Sequence, residues 1–169
     1  MPDVVFDACV LSNFALADSW MIVEGLYRNS AFVTDFVYAE ILAGIRKGRQ
    51  ELLIVRKAVR EGRLGRIALS PVLEIGLFGD LSVSLGAGEA SSIAAAKARG
   101  MVFACDDREA RRQSGLLGVR LTGTIGILAR AVRVRTIPRE EADRILTRMI
   151  EKGFFSPIRS LKEIPGFKR

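Results

Sequence analysis

Short apolar runs separated by longer helical stretches constrain this chain more than any other feature. The runs are "DVVF" near the start, "SAFVTD" from Ser30, "RIALSPV" from Arg66, "MVFAC" from Met101 and "VRLTG" from Val119. Antiparallel strands can be joined by a tight turn, whereas parallel strands need a crossover of a dozen or more residues, usually a helix. The spacing therefore predicts βαβ units and a five-stranded, mostly parallel sheet with helices on both faces. With 169 residues and no repeat, low-complexity tract or obvious linker, the reading is a single α/β domain over residues 1–169.

The stretches between the runs have helical periodicity. "LSNFALADSWMIVEGLY" reads as one helix interrupted by polar positions, and "FVYAEILAGIRKG" as the helix after the second strand. A further helix is predicted from about Glu51 to Glu61, with Leu52, Leu53, Val55 and Val59 as its apolar positions. Pro71 stops the third strand, and a Gly-rich turn leads to "GEASSIAAAKARG", an alanine-rich helix closed by Gly100. "DREARRQSGLLG" and "TIGILARAVRV" follow as helices. "PREEADRILTRMIEKG" is the last, with Pro138 at its first position and Gly153 beyond its end.

Composition narrows the chemistry. The chain has no histidine, which removes Ser-His-Asp and Cys-His systems, His-ligated zinc and an imidazole base. Its two cysteines, Cys9 and Cys105, form no CxxC pair and are expected to be reduced, buried small hydrophobes in a cytoplasmic protein. No apolar run approaches the length of a membrane span, and Asp3 and Asp7 stand where a signal peptide would be basic. Acid–base or metal chemistry must then rest on carboxylates and hydroxyls, which prefer hard ions such as Mg2+ or Mn2+. A formal charge of +7 points to an acidic partner. The positive charge is concentrated at Arg46, Lys47, Arg49, Arg56, Lys57, Arg60, Arg63 and Arg66, a cluster suited to a phosphate backbone.

Ligands of an open parallel sheet bind beyond the carboxyl ends of its strands. Asp7 ends the first predicted strand and Asp106 and Asp107 end the fourth. Helices on such a sheet run antiparallel to the strands, so their first turns reach the same edge. Glu89 lies in the first turn of its helix, and Glu40 in the first or second turn of the helix after the second strand. Each has a local use: Glu89 complements a helix dipole, Glu40 is solvated, and Asp106 or Asp107 caps a helix. Asp7, an acid at a strand end among apolar residues, has the least local use. Together the acids would repel and resist ionisation, and a divalent cation resolves that conflict by lowering the pKa of a water and stabilising phosphoryl charge. A nucleotide cofactor fits poorly, because Gly86 and Gly88 lack a third glycine and Glu89 stands where a pyrophosphate would lie.

The ordered set resembles the PIN-domain nucleases, closest to their VapC-like prokaryotic branch. It runs from Asp in the first strand and Glu in the next helix to "LGAGEASSIAAAKARG", "ACDDREARR" and "LTGTIGIL". The resemblance implies a Mg2+- or Mn2+-dependent endoribonuclease acting on RNA. It also implies the toxin of a toxin–antitoxin pair, with an antitoxin protein as partner, and a homodimer. Carried over by position, Asp7, Glu40, Glu89 and Asp106 form the acidic quartet, and Thr124 orients a water or a carboxylate. Asp107 is a weaker metal candidate beside Asp106. Family members usually place Ser or Thr just after the first Asp, whereas this chain has Ala8 and Cys9; Ser12 or Asn13 is the expected substitute. The competing expectations are a non-catalytic RNA-binding or assembly subunit with the same fold, and a small-phosphate hydrolase on a similar sheet.

Overall fold

In the computed structural model, which describes residues 2–167, every strand pairing is parallel. Among the described residues one sheet forms from β1 (Val4–Phe6), β2 (Ala31–Thr34), β3 (Gly65–Ile67), β4 (Val102–Ala104) and β5 (Arg120–Thr122), in the order β3-β2-β1-β4-β5. All three residues of the central β1 are buried, as a sheet covered on both faces requires. The pleat sorts them: Val4 and Phe6 enter one core and Val5 the other. In β4, Phe103 and the following Cys105 share the core of Val5, while Ala104 faces the opposite one.

The helices are α1 (Ala8–Leu16), α2 (Trp20–Leu26), α3 (Asp35–Arg46), α4 (Leu53–Arg60), α5 (Ile75–Leu81), α6 (Ala87–Arg99), α7 (Arg108–Leu116), α8 (Thr124–Arg133) and α9 (Arg139–Glu151). Residues of α1, α2, α3, α4, α8 and α9 build the core around Phe6, and residues of α5, α6 and α7 build the one around Phe103. The strand order reverses at β1, with β2 and β3 on one side and β4 and β5 on the other. The segments after β1 and β4 therefore leave the sheet next to each other, opening a crevice at its carboxyl edge.

The small residues of α6 explain its place. Gly88, Ala90, Ser91, Ser92, Ile93 and Ala94 to Ala96 are all buried, so the helix sits close to the sheet between α3 and α5. Ser91 Oγ donates to the Gly88 carbonyl at 2.9 Å and lies 2.7 Å from Thr34 Oγ1, which itself caps α3 by accepting from the Val37 amide. The starts of α3 and α6 are thus pinned to one another, with Glu40 in the second turn of α3 and Glu89 in the first turn of α6.

Four local expectations change. The first predicted helix is two helices, parted at Asp18, where the backbone is left-handed (φ 51°). The third strand ends at Ile67 rather than being stopped only at Pro71. Its first residue, Gly65, is needed because a β-carbon there would lie 2.5 Å from the Phe32 ring. The stretch read as a Gly-rich turn contains α5; two glycines mask it, and Phe78 holds it by packing on Phe36 with ring centroids 4.6 Å apart. Pro138 caps α9 instead of being its first residue. Among the described residues no helix is long and apolar enough to cross a membrane.

Candidate metal centre

Asp7 follows β1 directly and is 6% exposed. It caps α1, accepting from the Cys9 amide at 3.4 Å and from the Cys9 thiol at 2.7 Å. Cys9 is exposed, contrary to the expectation of a buried small hydrophobe, although its sulfur faces the buried Asp7; Cys105 is buried as expected.

Asp106, two residues beyond β4, is held on both oxygens. Its Oδ1 accepts from the Thr124 amide at 2.9 Å, and its Oδ2 accepts from Thr124 Oγ1 at 2.6 Å and Asn13 Nδ2 at 3.3 Å. Asn13 Nδ2 also donates to Thr124 Oγ1 at 3.0 Å. Of the two polar candidates downstream of Asp7, Asn13 therefore reaches the acidic edge, while Ser12 accepts from Arg49. Gly123 makes room for the set, since a β-carbon there would fall 2.5 Å from Asp106 Oδ1.

Glu40 and Glu89 approach from the other side. The Gly88 amide donates to Glu40 Oε1 at 3.0 Å, and the Gly86 amide to Glu89 Oε2 at 3.2 Å. Glu89 is the third residue of α6, where a carboxylate also complements the helix dipole. Asp107 differs from these: its Oδ1 accepts from the Ala110 amide at 2.8 Å and caps α7.

Asp7, Glu40 and Glu89 line one cleft of about 390 Å³, with Ala8, Cys9 and Arg49 among its other walls. Burial pushes the pKa of all three carboxyls up, and mutual repulsion adds to it. Asp106 acts on Asp7, Asp7 acts on Glu40, and Asp7, Asp107 and Glu40 act on Glu89. The Cys9 thiol is pushed strongly up as well, first by Cys105, then by burial and Asp7. Asp106 does not line that cleft; it lines a separate hollow together with Thr122, Gly123, Arg111 and Phe155.

The carboxylates form a rim rather than a closed cage. Among the described residues, the one set of three potential ligand side chains with donor atoms within 4.8 Å of one another is Asp7, Cys9 and Cys105. The oxygen donors of the rim fit a hard divalent ion that keeps part of its water, as Mg2+ does when bound by one or two carboxylates. Repulsion among partly buried acids is the strain such an ion relieves. Leu52 lines the cleft, and Leu53, Arg56, Lys57 and Arg60 of the helix that follows, with Glu61 at its end, line a second groove of about 510 Å³.

Sequence reasoning did not single out Arg49 as a cleft residue, nor Gly88 and Gly123 as places where carboxylates occupy the space of a side chain. The "GAGE" and "TGT" stretches carried the signal for both glycines, but only the fold shows which acid lies against which. A family model described as a PIN domain matches residues 3–165, nearly the full length of the chain. No curated protein matches it.

Proposed function

The chain belongs to the PIN-domain family, whose members are generally nucleases, and from that premise we propose that it is a metal-dependent endoribonuclease. The observation that carries the proposal is the cleft in which Asp7, Glu40 and Glu89 converge with raised pKa values while Arg49 supplies a cation at its wall. Asp7 and Asp106 would hold Mg2+ or Mn2+, with Glu40 and Glu89 bound directly or through water. Such an ion lowers the pKa of a water and neutralises charge on phosphoryl oxygens.

The chain's own residues do the rest. Thr124 and Asn13 fix the Asp106 carboxylate, and Gly88 fixes Glu40. Arg49 and the basic face of α4 attract the backbone phosphates. Phe155, 94% exposed beside Asp106, offers a stacking face to an unpaired base. Water attacks a phosphodiester in line, the 3′ oxygen leaves, and the product carries a 5′-phosphate. The VapC-like order of motifs extends the proposal to the toxin of a toxin–antitoxin pair, acting as a homodimer in the cytoplasm.

The test is cleavage of single-stranded RNA by the purified chain with manganese or magnesium. Asp7→Asn abolishes it while circular dichroism stays unchanged. The spread of the carboxylates around a rim favours one alternative, a non-catalytic RNA-binding or assembly subunit. Its mark is salt-dependent RNA binding without cleavage under any metal, unaffected by Asp7→Asn.

A further inference from the structure

Two sulfurs meet at the carboxyl edge of the sheet beside the acidic rim. β1 and β4 pair in parallel with Phe6 opposite Ala104, which brings the next residues, Asp7 and Cys105, out side by side. α1 then turns Cys9 back, so that its thiol donates to Asp7. The two sulfurs and an Asp7 oxygen lie within 4.8 Å of one another although Cys9 and Cys105 are far apart in the chain. Cys9 is exposed and lines the cleft with Asp7, while Cys105 is fully buried behind them.

Neither sulfur needs the other for its local role. Cys9 serves Asp7 as a hydrogen-bond donor, a task an oxygen performs equally well, and Cys105 fills a core position. Together they change the donor chemistry. Carboxylates and waters select magnesium, manganese and calcium, whereas thiolates select zinc and similar soft ions. Two sulfurs and a carboxylate oxygen make three ligands of a tetrahedron, leaving one position open. With Zn–S near 2.3 Å, tetrahedral donors stand roughly 3.8 Å apart or less, so donors within 4.8 Å of one another need close by no more than about 1 Å.

We propose that Asp7, Cys9 and Cys105 form a binding site for zinc or another thiophilic divalent ion. Each thiol gives its proton to solvent as its sulfur coordinates. The site shares Asp7 with the rim, so occupation by a soft ion withdraws Asp7 from a hard one and inhibits RNA cleavage. That consequence rests on the ribonuclease reading; the binding itself does not.

Cobalt(II) is the probe, because sulfur-to-cobalt charge transfer absorbs in the near ultraviolet and carboxylate coordination does not. Titrated into the reduced, chelator-treated chain, cobalt should produce a saturable charge-transfer band that equimolar zinc removes. The band should vanish in Cys105→Ala and in Cys9→Ser, the latter keeping a hydrogen-bond donor for Asp7. Circular dichroism reports whether each variant folds, and Cys9→Ser, at an exposed position, carries the test if Cys105→Ala does not. Absence of the band in the wild-type chain, or its survival in a folded variant, overturns the proposal. Manganese-dependent cleavage in zinc-free buffer is read separately: a band without cleavage refutes only the ribonuclease reading, and cleavage without a band refutes only the soft-metal site.

Discussion

The Glu40 carboxylate occupies the space a side chain would take at Gly88. The Gly88 amide donates to Glu40 Oε1 at 3.0 Å, and a β-carbon on Gly88 would lie 2.6 Å from both carboxylate oxygens. Gly88→Ala should therefore displace Glu40 without unfolding α6, since alanine is the better helix former by about 1 kcal/mol. The expected result is an unchanged or higher melting temperature with manganese-dependent cleavage reduced about 10- to 100-fold, the usual range for residues that orient metal ligands. Full activity in Gly88→Ala would remove Glu40 from the proposed site.

Thr124 and Asn13 act on Asp106 as one unit. Thr124 Oγ1 donates to the Asp106 carboxylate and accepts from Asn13, which also reaches Asp106. Thr124→Val and Asn13→Ala should each lower cleavage by about 10- to 100-fold. Thr124→Val should cost more stability, because Thr124 is fully buried. A double-mutant cycle on melting free energy should give coupling of about 0.5–3 kcal/mol. Strict additivity would show that the triad is not a unit.

Away from the cleft, Glu74 is 1% exposed and is met by Arg99 Nε at 2.6 Å and by the Ser70 amide at 2.5 Å. The Arg99 hydrogen bond is the main cause holding the Glu74 carboxyl below its ordinary range. Arg99→Ala leaves that buried carboxylate short of its cation at a cost on the order of 2 kcal/mol. For a chain of this size, that is a fall of roughly 4–8 °C in melting temperature. A depressed folded pKa contributes stability that is present above the ordinary value of 4.5 and lost as pH falls through the folded value. The gap between wild type and Arg99→Ala should accordingly narrow in acid.

Asp7 has the opposite sign. Chiefly through burial, its carboxyl titrates above the ordinary 3.8, so in that window the folded chain keeps a proton that the unfolded chain has released. Stability therefore falls as pH rises through the window. Asparagine caps helices as well as aspartate and carries no charge. Without divalent metal, Asp7→Asn should melt higher than wild type at pH 7, and the difference should disappear toward pH 4. A lower melting temperature at pH 7 would mean that Asp7 has a cationic partner in the protein.

The sheet, its parallel pairing and the rim were legible because each depends on local pattern. Apolar runs end in Asp7 and Asp106, and the first two turns of the following helices carry Glu40 and Glu89. What stayed hidden depends on distance in space. Asn13 and Asp106 are far apart in the chain, and only the adjacency of β1 and β4 brings their segments together. The same holds for Cys9 and Cys105, read separately as small hydrophobes although their sulfurs share the sheet edge. α5 stayed hidden for another reason: Gly76 and Gly79 weaken its intrinsic preference, and tertiary contacts through Phe78 and Leu81 restore the helix.

The acidic rim as a divalent-metal site is tested most directly by melting the chelator-treated chain while manganese is added. A ligand that binds only the folded state stabilises it by about 2.7 kcal/mol at a hundredfold excess over its Kd. Here that corresponds to a rise of roughly 5–10 °C. The wild-type chain should show a saturating rise, Glu89→Gln a smaller one and Asp7→Asn none. No rise in the wild-type chain, or an equal rise in Asp7→Asn, would contradict the account.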